Sequence, residues 1–338
     1  MKNIMNSKLP KISIVIPTLN ESRDIEDCLK SIFRQNYPLS KLEVFVVDGG
    51  SGDNTLKIAK KYPVKILFNK EKDAQIGKML GLKRSTGELF TYFDADIRLR
   101  GNNWFKKMIK PILEDEKIVA SVSCYYSRAG DSWLTRFITY DIKQRDPVYE
   151  FFSPHILNTI QEKRNGYYLC KYTSEMIPPT GRCLYRTKIL KNSFIYKRKK
   201  FMELDNLAIL VSEGYYFFGF VPEAGFYHNF VLGLGELLRK RYRNIKHNFL
   251  FQEEGRYYKW FDLHTPKDIA KILLWLIYVH LFFPSLARGI YKSFKHHDLV
   301  CLIEPFINIF ETYIIIYGFA YVYISTYYLR LNRYFNSK

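Results

Sequence analysis

The sequence predicts an α/β protein: a doubly wound, mostly parallel sheet followed by a C-terminal region of amphipathic and membrane helices. Three observations predict it. Over residues 11–125, short apolar runs alternate with helical patterns, as repeated β-α-β units do. Two of those runs end on carboxylates, Asp48 and the pair Asp94 and Asp96, where open α/β sheets bind ligands. Beyond about residue 235 the chain turns first basic and then almost wholly apolar.

The elements follow in order. "KISIVIP" (11–17) reads as a buried strand. In "SRDIEDCLKSIFRQ", Ile25, Leu29, Ile32 and Phe33 share one helical face. "LEVFVVDGG" is a second strand that ends on Asp48 and a Gly-Gly turn, and "SGDNTLKIAKKY" is a helix with polar capping residues. "VKILFN" is a third strand, "DAQIGKMLGLKRSTG" a helix closed by Gly87, and "LFTYF" a fourth strand leading into Asp94-Ala95-Asp96. "NNWFKKMIKPILED" and "KIVASVSCYY" add a helix and a strand. Residues 126–200 have weak periodicity; between Arg186 and Lys200 they carry seven basic residues and no acidic one. That run reads either as a solvated loop or as a loop near anionic lipid or substrate phosphate. "YYFFGFVPEAGFYH" is a late strand ending on His228.

The C-terminal third reads differently. "GELLRKRYRNIKHNFLFQEE" mixes five basic residues with apolar ones, as a basic helix at a membrane surface does. Residues 272–287 and 312–329 are apolar runs, the second rich in tyrosine as interfacial segments are. A spanning helix needs about 20 apolar residues. Two membrane helices forming a hairpin is the preferred reading; in-plane or buried helices are the alternative. The expected division is 1–235 for the α/β domain, 236–268 for the interfacial helix region, and 269–330 for two membrane-spanning or membrane-embedded helices.

Composition bounds the function. With 47% hydrophobic and 17% aromatic residues among 338, a sizeable core is available and overall disorder is excluded. The 52 basic against 33 acidic residues, net +19, imply an anionic partner. The apolar tail and strand-end carboxylates favour a membrane surface or phosphate-bearing substrate over nucleic acid. The five cysteines are scattered with no CxxC pair, which argues against zinc and fits a reducing compartment. The N-terminus lacks the long apolar run of a signal peptide, so the α/β domain is expected in the cytoplasm, at the cell membrane.

Asp94 and Asp96 are one residue apart, so in extended geometry their side chains point the same way. Carboxylates placed so suit Mg²⁺ or Mn²⁺, which bridge protein oxygens to phosphates. Several stretches together resemble the family 2 glycosyltransferases of the GT-A fold: "SIVIPTLNE" (13–21), "VVDGGSGDNT" (46–55), "GKMLGLKRSTGELFTYFDADIRL" (77–99), "TGRCLYRTKIL" (180–190) and "FMELDNLAILVSEGYYF" (201–217). The resemblance covers roughly residues 10–230.

The resemblance implies roles. Pro17, Thr18, Asn20 and Glu21 match the loop that holds the nucleotide base and ribose, and Asp48 the acid that reads them. Lys78 matches a basic position, usually Arg, near the diphosphate; Met79 stands where Asn is common. Asp94 and Asp96 match the DxD motif, with Asp96 as the direct metal ligand and Asp94 nearer the sugar. Gly181 and Arg182 match a turn under the donor sugar. Glu203 falls on the catalytic-base position and Asp205 on a second acid, with Met202 replacing the first acid; either carboxylate is a candidate base. His228 is a candidate third metal ligand or diphosphate contact. The implied enzyme is inverting and metal-dependent. It moves a sugar from a nucleotide-diphosphate sugar to a lipid-linked acceptor, a hydroxyl of a lipid-linked glycan being favoured. Rival readings are a polyprenyl- or dolichyl-phosphate sugar synthase, a processive polysaccharide synthase, whose Q/RxxRW segment "RKRYRNIKH" lacks its Trp, and a non-enzymatic binder of anionic ligands.

Overall fold

The structure is a computed structural model that describes residues 9–141, 148–179, 181–229, 231, 233–250, 257–258, 262 and 264–336. Its contacts divide the chain into two units. The first comprises residues up to Tyr126 and Pro154–Asn229; the second comprises Ser127–Ser153 and residues from Phe230 onward. The first unit thus ends at Asn229, and residues 127–153 group with the C-terminal unit.

The first unit begins β1 (Ile12–Thr18), α1 (Ile25–Phe33), β2 (Leu42–Asp48), α2 (Thr55–Ala59), β3 (Val64–Phe68), α3 (Ala74–Arg84) and β4 (Leu89–Tyr92). It continues through β5 (Ile97–Leu99), α4 (Trp104–Glu114) and β6 (Ile118–Tyr126). The chain then leaves for α5 (Trp133–Tyr140) and α6 (Tyr149–Phe152) of the second unit. It returns as β7 (Ile160–Arg164), β8 (Tyr167–Lys171), β9 (Cys183–Arg186), α7 (Thr187–Asn192), α8 (Glu203–Ser212) and β10 (Phe217–His228). The ten described strands form one sheet in the order β3-β2-β1-β4-β9-β6-β10-β8-β7, with β5 paired to β10.

Strands β3, β2, β1 and β4 are parallel, as the β-α alternation predicts. Every residue of β1 is buried, which fits a strand covered on both faces. Ile25, Leu29 and Ile32 of α1 pack into that core beside Ile12, Ile14 and Val44. The α3 helix starts where Asp73 accepts hydrogen bonds from the amides of Gln75 and Ile76. The weakly periodic segment supplies β9, which inserts antiparallel between β4 and β6; it starts at the ligand edge, just after Arg182, and runs away from it. At the other end of the sheet Glu43 takes hydrogen bonds from Ser13, Lys65 and Thr86. Burial alone would raise its carboxyl, but these donors outweigh it and hold the pKa at about 2.

The second unit continues with α9 (Leu234–Leu250), α10 (Pro266–His280), α11 (Phe283–His296) and α12 (Glu304–Asn336). The apolar run 272–287, read as one helix, is broken: α10 and α11 meet at a 73° bend, where Phe282 has a φ of 59°. Neither arm alone has the length of a span. Residues 299–325 are long and apolar enough to cross a membrane. Glu304 and Glu311, which interrupt that stretch, are fully buried and ion-paired, Glu304 to Arg288 and Lys292 and Glu311 to Arg241.

The basic run 186–200 is largely engaged within the first unit. Arg186 donates to the carbonyls of Ile112, Asp115 and Ile118, and Lys191 to that of Ser85. Arg198, Lys199 and Lys200 pair with Asp205, Glu71 and Asp73. Its residues mostly brace the fold.

Candidate active site

The C-terminal ends of the parallel strands gather the expected residues. Strand register sets Thr18 beside Asp48 across β1 and β2. Asp48 is buried, and both its oxygens are taken by the protein. One accepts the amides of Gly50 and Ser51 at 2.8 Å; the other accepts the hydroxyls of Ser51 at 2.5 Å and Thr18 at 3.2 Å. A carboxylate offers about four acceptor sites, so in this state Asp48 shapes its loop. Asn20, with a φ of 56°, binds Ser51 through its amide and Gly52 through its side-chain oxygen. The Glu21 amide donates to Thr55 and that of Ser22 to Asp53. Loop 18–22 is therefore stapled to loop 48–55, with Pro17 buried behind it. The stapling role of Ser51 and Asp53 was not foreseen; the polar run "SGDNT" was its only trace in the sequence.

A second group surrounds the strand end after β4. Short β5 turns back and pairs antiparallel with β10, setting His228 opposite Ile97. That register brings His228 Nε2 to 3.1 Å from Asp96 Oδ2. Ligand atoms of Asp94, Asp96 and His228 all lie within 4.8 Å of one another. The other Asp96 oxygen, Oδ1, is buried with no hydrogen-bond partner. A buried orphan acceptor is costly unless something fills it. Two carboxylates and an imidazole make a hard oxygen–nitrogen donor set, so the trio fits a divalent cation, and the His suits Mn²⁺ better than Mg²⁺.

Asp94 faces the other way as well. Its carboxylate pairs with Arg182 and lies 3.5 Å from Lys78 Nζ. Glu203, at the first turn of α8, pairs with the same two cations, 2.7 Å from Lys78 and 3.4 Å from Arg182. Asp94, Arg182, Glu203 and Lys78 thus form a closed ring of alternating charge. Lys78 is only 2% exposed, whereas the two carboxylates are about one-third exposed. The Tyr92 ring lies under both cations, 4.6 Å from Lys78 Nζ and 5.4 Å from the Arg182 guanidinium carbon. Tyr92 rests in turn on Phe201. Nothing in "LFTYF" marks Tyr92 as more than a strand residue.

The ring sets the ionisation of its members. Burial alone would raise the Asp94 and Glu203 carboxyls, but Arg182 and Lys78 outweigh it and hold both below the ordinary carboxylate range. Burial would lower Lys78, but Asp94 and Glu203 raise it. Both carboxylates are anionic at neutral pH, and Glu203 is a weakened base while the cations stay on it.

Gly181 positions Arg182. A Cβ on Gly181 would lie 2.3 Å from the Ser123 carbonyl oxygen, so only glycine allows this approach to β6. Ser123 then donates through its amide and hydroxyl to the Arg182 carbonyl. Asp205 is not brought into the group. Two residues along a helix rotate a side chain by about 200°, and Asp205 is fully buried and paired with Arg198 at 3.3 Å.

Comparison with known proteins decides the family. The profile described as glycosyl transferase family 2 matches residues 13–194, more than half of the chain. The chain belongs to glycosyl transferase family 2. Its sheet, strand-end carboxylates and loops are those of a family 2 protein with the GT-A fold. It is similar to glycosyltransferase AglE of Haloferax volcanii, 37% identical over 98 residues, 27% of this chain and 32% of that protein. It is also similar to a dolichyl N-acetyl-α-D-glucosaminyl phosphate 3-β-D-2,3-diacetamido-2,3-dideoxy-β-D-glucuronosyltransferase of Methanococcus voltae. That match is 35% identical over 91 residues, 25% of this chain and 28% of the relative. The chain thus spans less than a third of either relative's length. Among solved structures, the mannosyltransferase PcManGT from Pyrobaculum calidifontis, in complex with GDP-Man and Mn²⁺, superposes with a TM-score of 0.52. It is 15% identical and covers 92% of this chain and 88% of its own; that likeness concerns the fold.

Proposed function

We propose that this family 2 protein is an inverting, metal-dependent glycosyltransferase. It moves a sugar from a nucleoside-diphosphate sugar to a lipid-linked acceptor at the cell membrane, with its α/β unit in the cytoplasm. The observation that carries this reading is the meeting of two groups at one sheet edge: Asp94, Asp96 and His228 beside Lys78, Arg182 and Glu203. The complexed structure of PcManGT with GDP-Man and Mn²⁺, and the lipid-linked substrate named for the Methanococcus voltae relative, agree with it.

In this reading Pro17, Thr18, Asn20, Glu21 and Asp48 form the loops that hold base and ribose, Asp48 by shaping its loop. Asp96, His228 and Asp94 would hold Mn²⁺ or Mg²⁺, which would supply positive charge against the negative charge of the leaving diphosphate. Lys78 and Arg182 supply more of it from the protein. The Gly181 turn keeps Arg182 under the donor sugar. Glu203 takes the proton of the acceptor hydroxyl as the new bond to the anomeric carbon forms and the bond to diphosphate breaks. The anomeric centre inverts. A diphosphate that draws Lys78 and Arg182 onto itself frees Glu203, so the base strengthens when the donor is in place.

A second reading rests on the same ion pairs. With Glu203 weakened, an acceptor that is already ionised, such as polyprenyl phosphate, needs no base. Incubation of the full chain with labelled nucleoside-diphosphate sugars and Mn²⁺, with either a lipid-linked saccharide or polyprenyl phosphate, separates the two. Transfer to the saccharide, abolished by chelator and by Glu203→Gln, is expected. Polyprenyl-phosphate-sugar as sole product overturns the hydroxyl reading, and no turnover of any donor overturns the transferase.

A further inference from the structure

Two helices of the second unit, α11 and α12, turn polar side chains inward and aromatic ones outward beside the unit's apolar clusters. On α11 the residues turned inward are Ser285, Gly289, Lys292 and Ser293, all buried. Those turned outward are Phe283, Tyr291 and Phe294, which are 76%, 65% and 77% exposed. On α12 the buried residues include Glu304, Asn308, Glu311 and Thr312, while Phe306, Phe310, Tyr313 and Tyr317 are exposed. The polar faces turn towards each other: Arg288 and Lys292 form ion pairs with Glu304, and Asn308 donates to Ser285. In water a surface helix buries its apolar stripe and exposes its polar one. The reverse arrangement is stable where the surroundings are apolar.

Length and charge then limit how the α10–α11 pair meets such surroundings. Arms of 15 and 14 residues reach about 22 and 21 Å, short of a hydrocarbon core of about 30 Å. Both ends of the pair are charged or polar, Lys267, Asp268 and Lys271 at one and Lys295, His297 and Asp298 at the other. The bend between them is irregular backbone with exposed Leu281 and Phe283 on either side. Irregular, lipid-facing backbone is not tolerated at the bilayer centre. At the headgroup boundary, water satisfies it, and Tyr and Lys are at home there.

We propose that the α10–α11 pair docks on one leaflet of an anionic phospholipid bilayer, its outward face lying in the headgroup–acyl boundary, and does not cross. Charge complementarity selects the bilayer over a second copy of the chain. On α9 of the same unit Arg239, Lys240 and Arg243 line one surface cleft with Glu236, which pairs with Lys240 at 3.0 Å; the lining is net positive, a match for anionic headgroups. This pair replaces the first helix of the expected spanning hairpin with an interfacial one. It depends on the second unit alone, not on the transferase chemistry.

The test uses the full chain added to preformed sealed vesicles of phosphatidylcholine and phosphatidylglycerol. Flotation with the vesicles is expected, falling at least about tenfold in Phe283→Ser/Tyr291→Ser/Phe294→Ser, whose changed side chains all lie outside the core. Lys267→Cys and His297→Cys are expected to react with a membrane-impermeant maleimide from outside the vesicles, and Leu281→Cys to become protected. Enclosure of either end in the lumen overturns the proposal, because the pair then crosses. So does a chain that ignores vesicles and forms a dimer that the triple substitution splits. Vesicle binding without sugar transfer leaves docking intact and overturns only the transferase reading.

Discussion

Lys78→Met is the most informative perturbation of the charge ring. The thioether keeps most of the stem volume but leaves Glu203 and Asp94 without an ammonium that now lies 2.7 and 3.5 Å away. Removing one partner of a fully buried pair costs about 3–5 kcal/mol, and an exposed pair is worth about 0–1 kcal/mol. With Lys78 buried and both carboxylates about one-third exposed, about 2 kcal/mol is the appropriate middle. For a unit of this size that lowers Tm by about 4–8 °C at pH 7. The pH profile carries a sign. Asp94 and Glu203 have folded pKa values below their ordinary ones, so their stabilisation is fully present above about pH 4–5 and is lost as pH falls through the folded values. Between pH 5 and 3, roughly the window set by the ordinary carboxylate pKa, the variant's Tm falls less steeply than the wild type's. Donor diphosphate also loses a charge-assisted partner, which weakens binding about 10- to 100-fold. Scanning fluorimetry across pH and calorimetry with UDP and GDP measure both. A Lys78→Met chain with wild-type Tm, wild-type acid slope and wild-type nucleotide affinity would refute the ring as the organiser of the site.

Three further outcomes are expected. Asp96→Asn and His228→Gln each weaken Mn²⁺ binding at least about tenfold by electron paramagnetic resonance, because Asp96 and His228 lie 3.1 Å apart within the donor trio; unchanged binding removes the trio as a metal site. Glu203→Gln lowers kcat by about 10²- to 10⁴-fold, and lowers Tm by less than Lys78→Met does, because Lys78 and Arg182 keep Asp94 as a partner. Asp205→Asn instead lowers Tm through its buried partner Arg198 and keeps kcat within about threefold, judged against the catalytic loss of a true base; the reverse pattern would make Asp205 the base. Gly181→Ala drives a Cβ into the Ser123 carbonyl and shifts Arg182, so turnover falls while UDP or GDP still binds; full turnover would show that Arg182 does not need its place.

The parallel half of the sheet was legible because each strand and helix carries its own periodicity, and the Asp94/Asp96 pair because it ends a strand. His228 was legible as a candidate, yet its closeness to Asp96 depends on β5 turning back onto β10, a long-range pairing with no local signal. The antiparallel entry of β9 was hidden for the same reason. Glu203 and Asp205 were both candidate bases in one dimension, Glu203 the favoured one; the helical turn separates the one that meets Lys78 from the one that meets Arg198. Asp48 reads in the sequence as a ligand contact, but two amides and two hydroxyls reach it first. The 272–287 run has the hydropathy of a helix, and hydropathy does not say which face of α11 would turn outward.

The place of β10 has a practical consequence for anyone dissecting the molecule. The segment matching the family profile stops at residue 194, but β10 sits between β6 and β8 within the sheet and ends on His228. A fragment trimmed to the profile would lose Glu203, a central strand and one of the three clustered ligands, and would expose the flank of β6 to pairing with any other chain. The smallest excised piece with a complete sheet runs to residue 229. Its expendable part is internal: residues 127–153 belong to the other unit, so the cut that spares the catalytic half is a splice rather than a truncation.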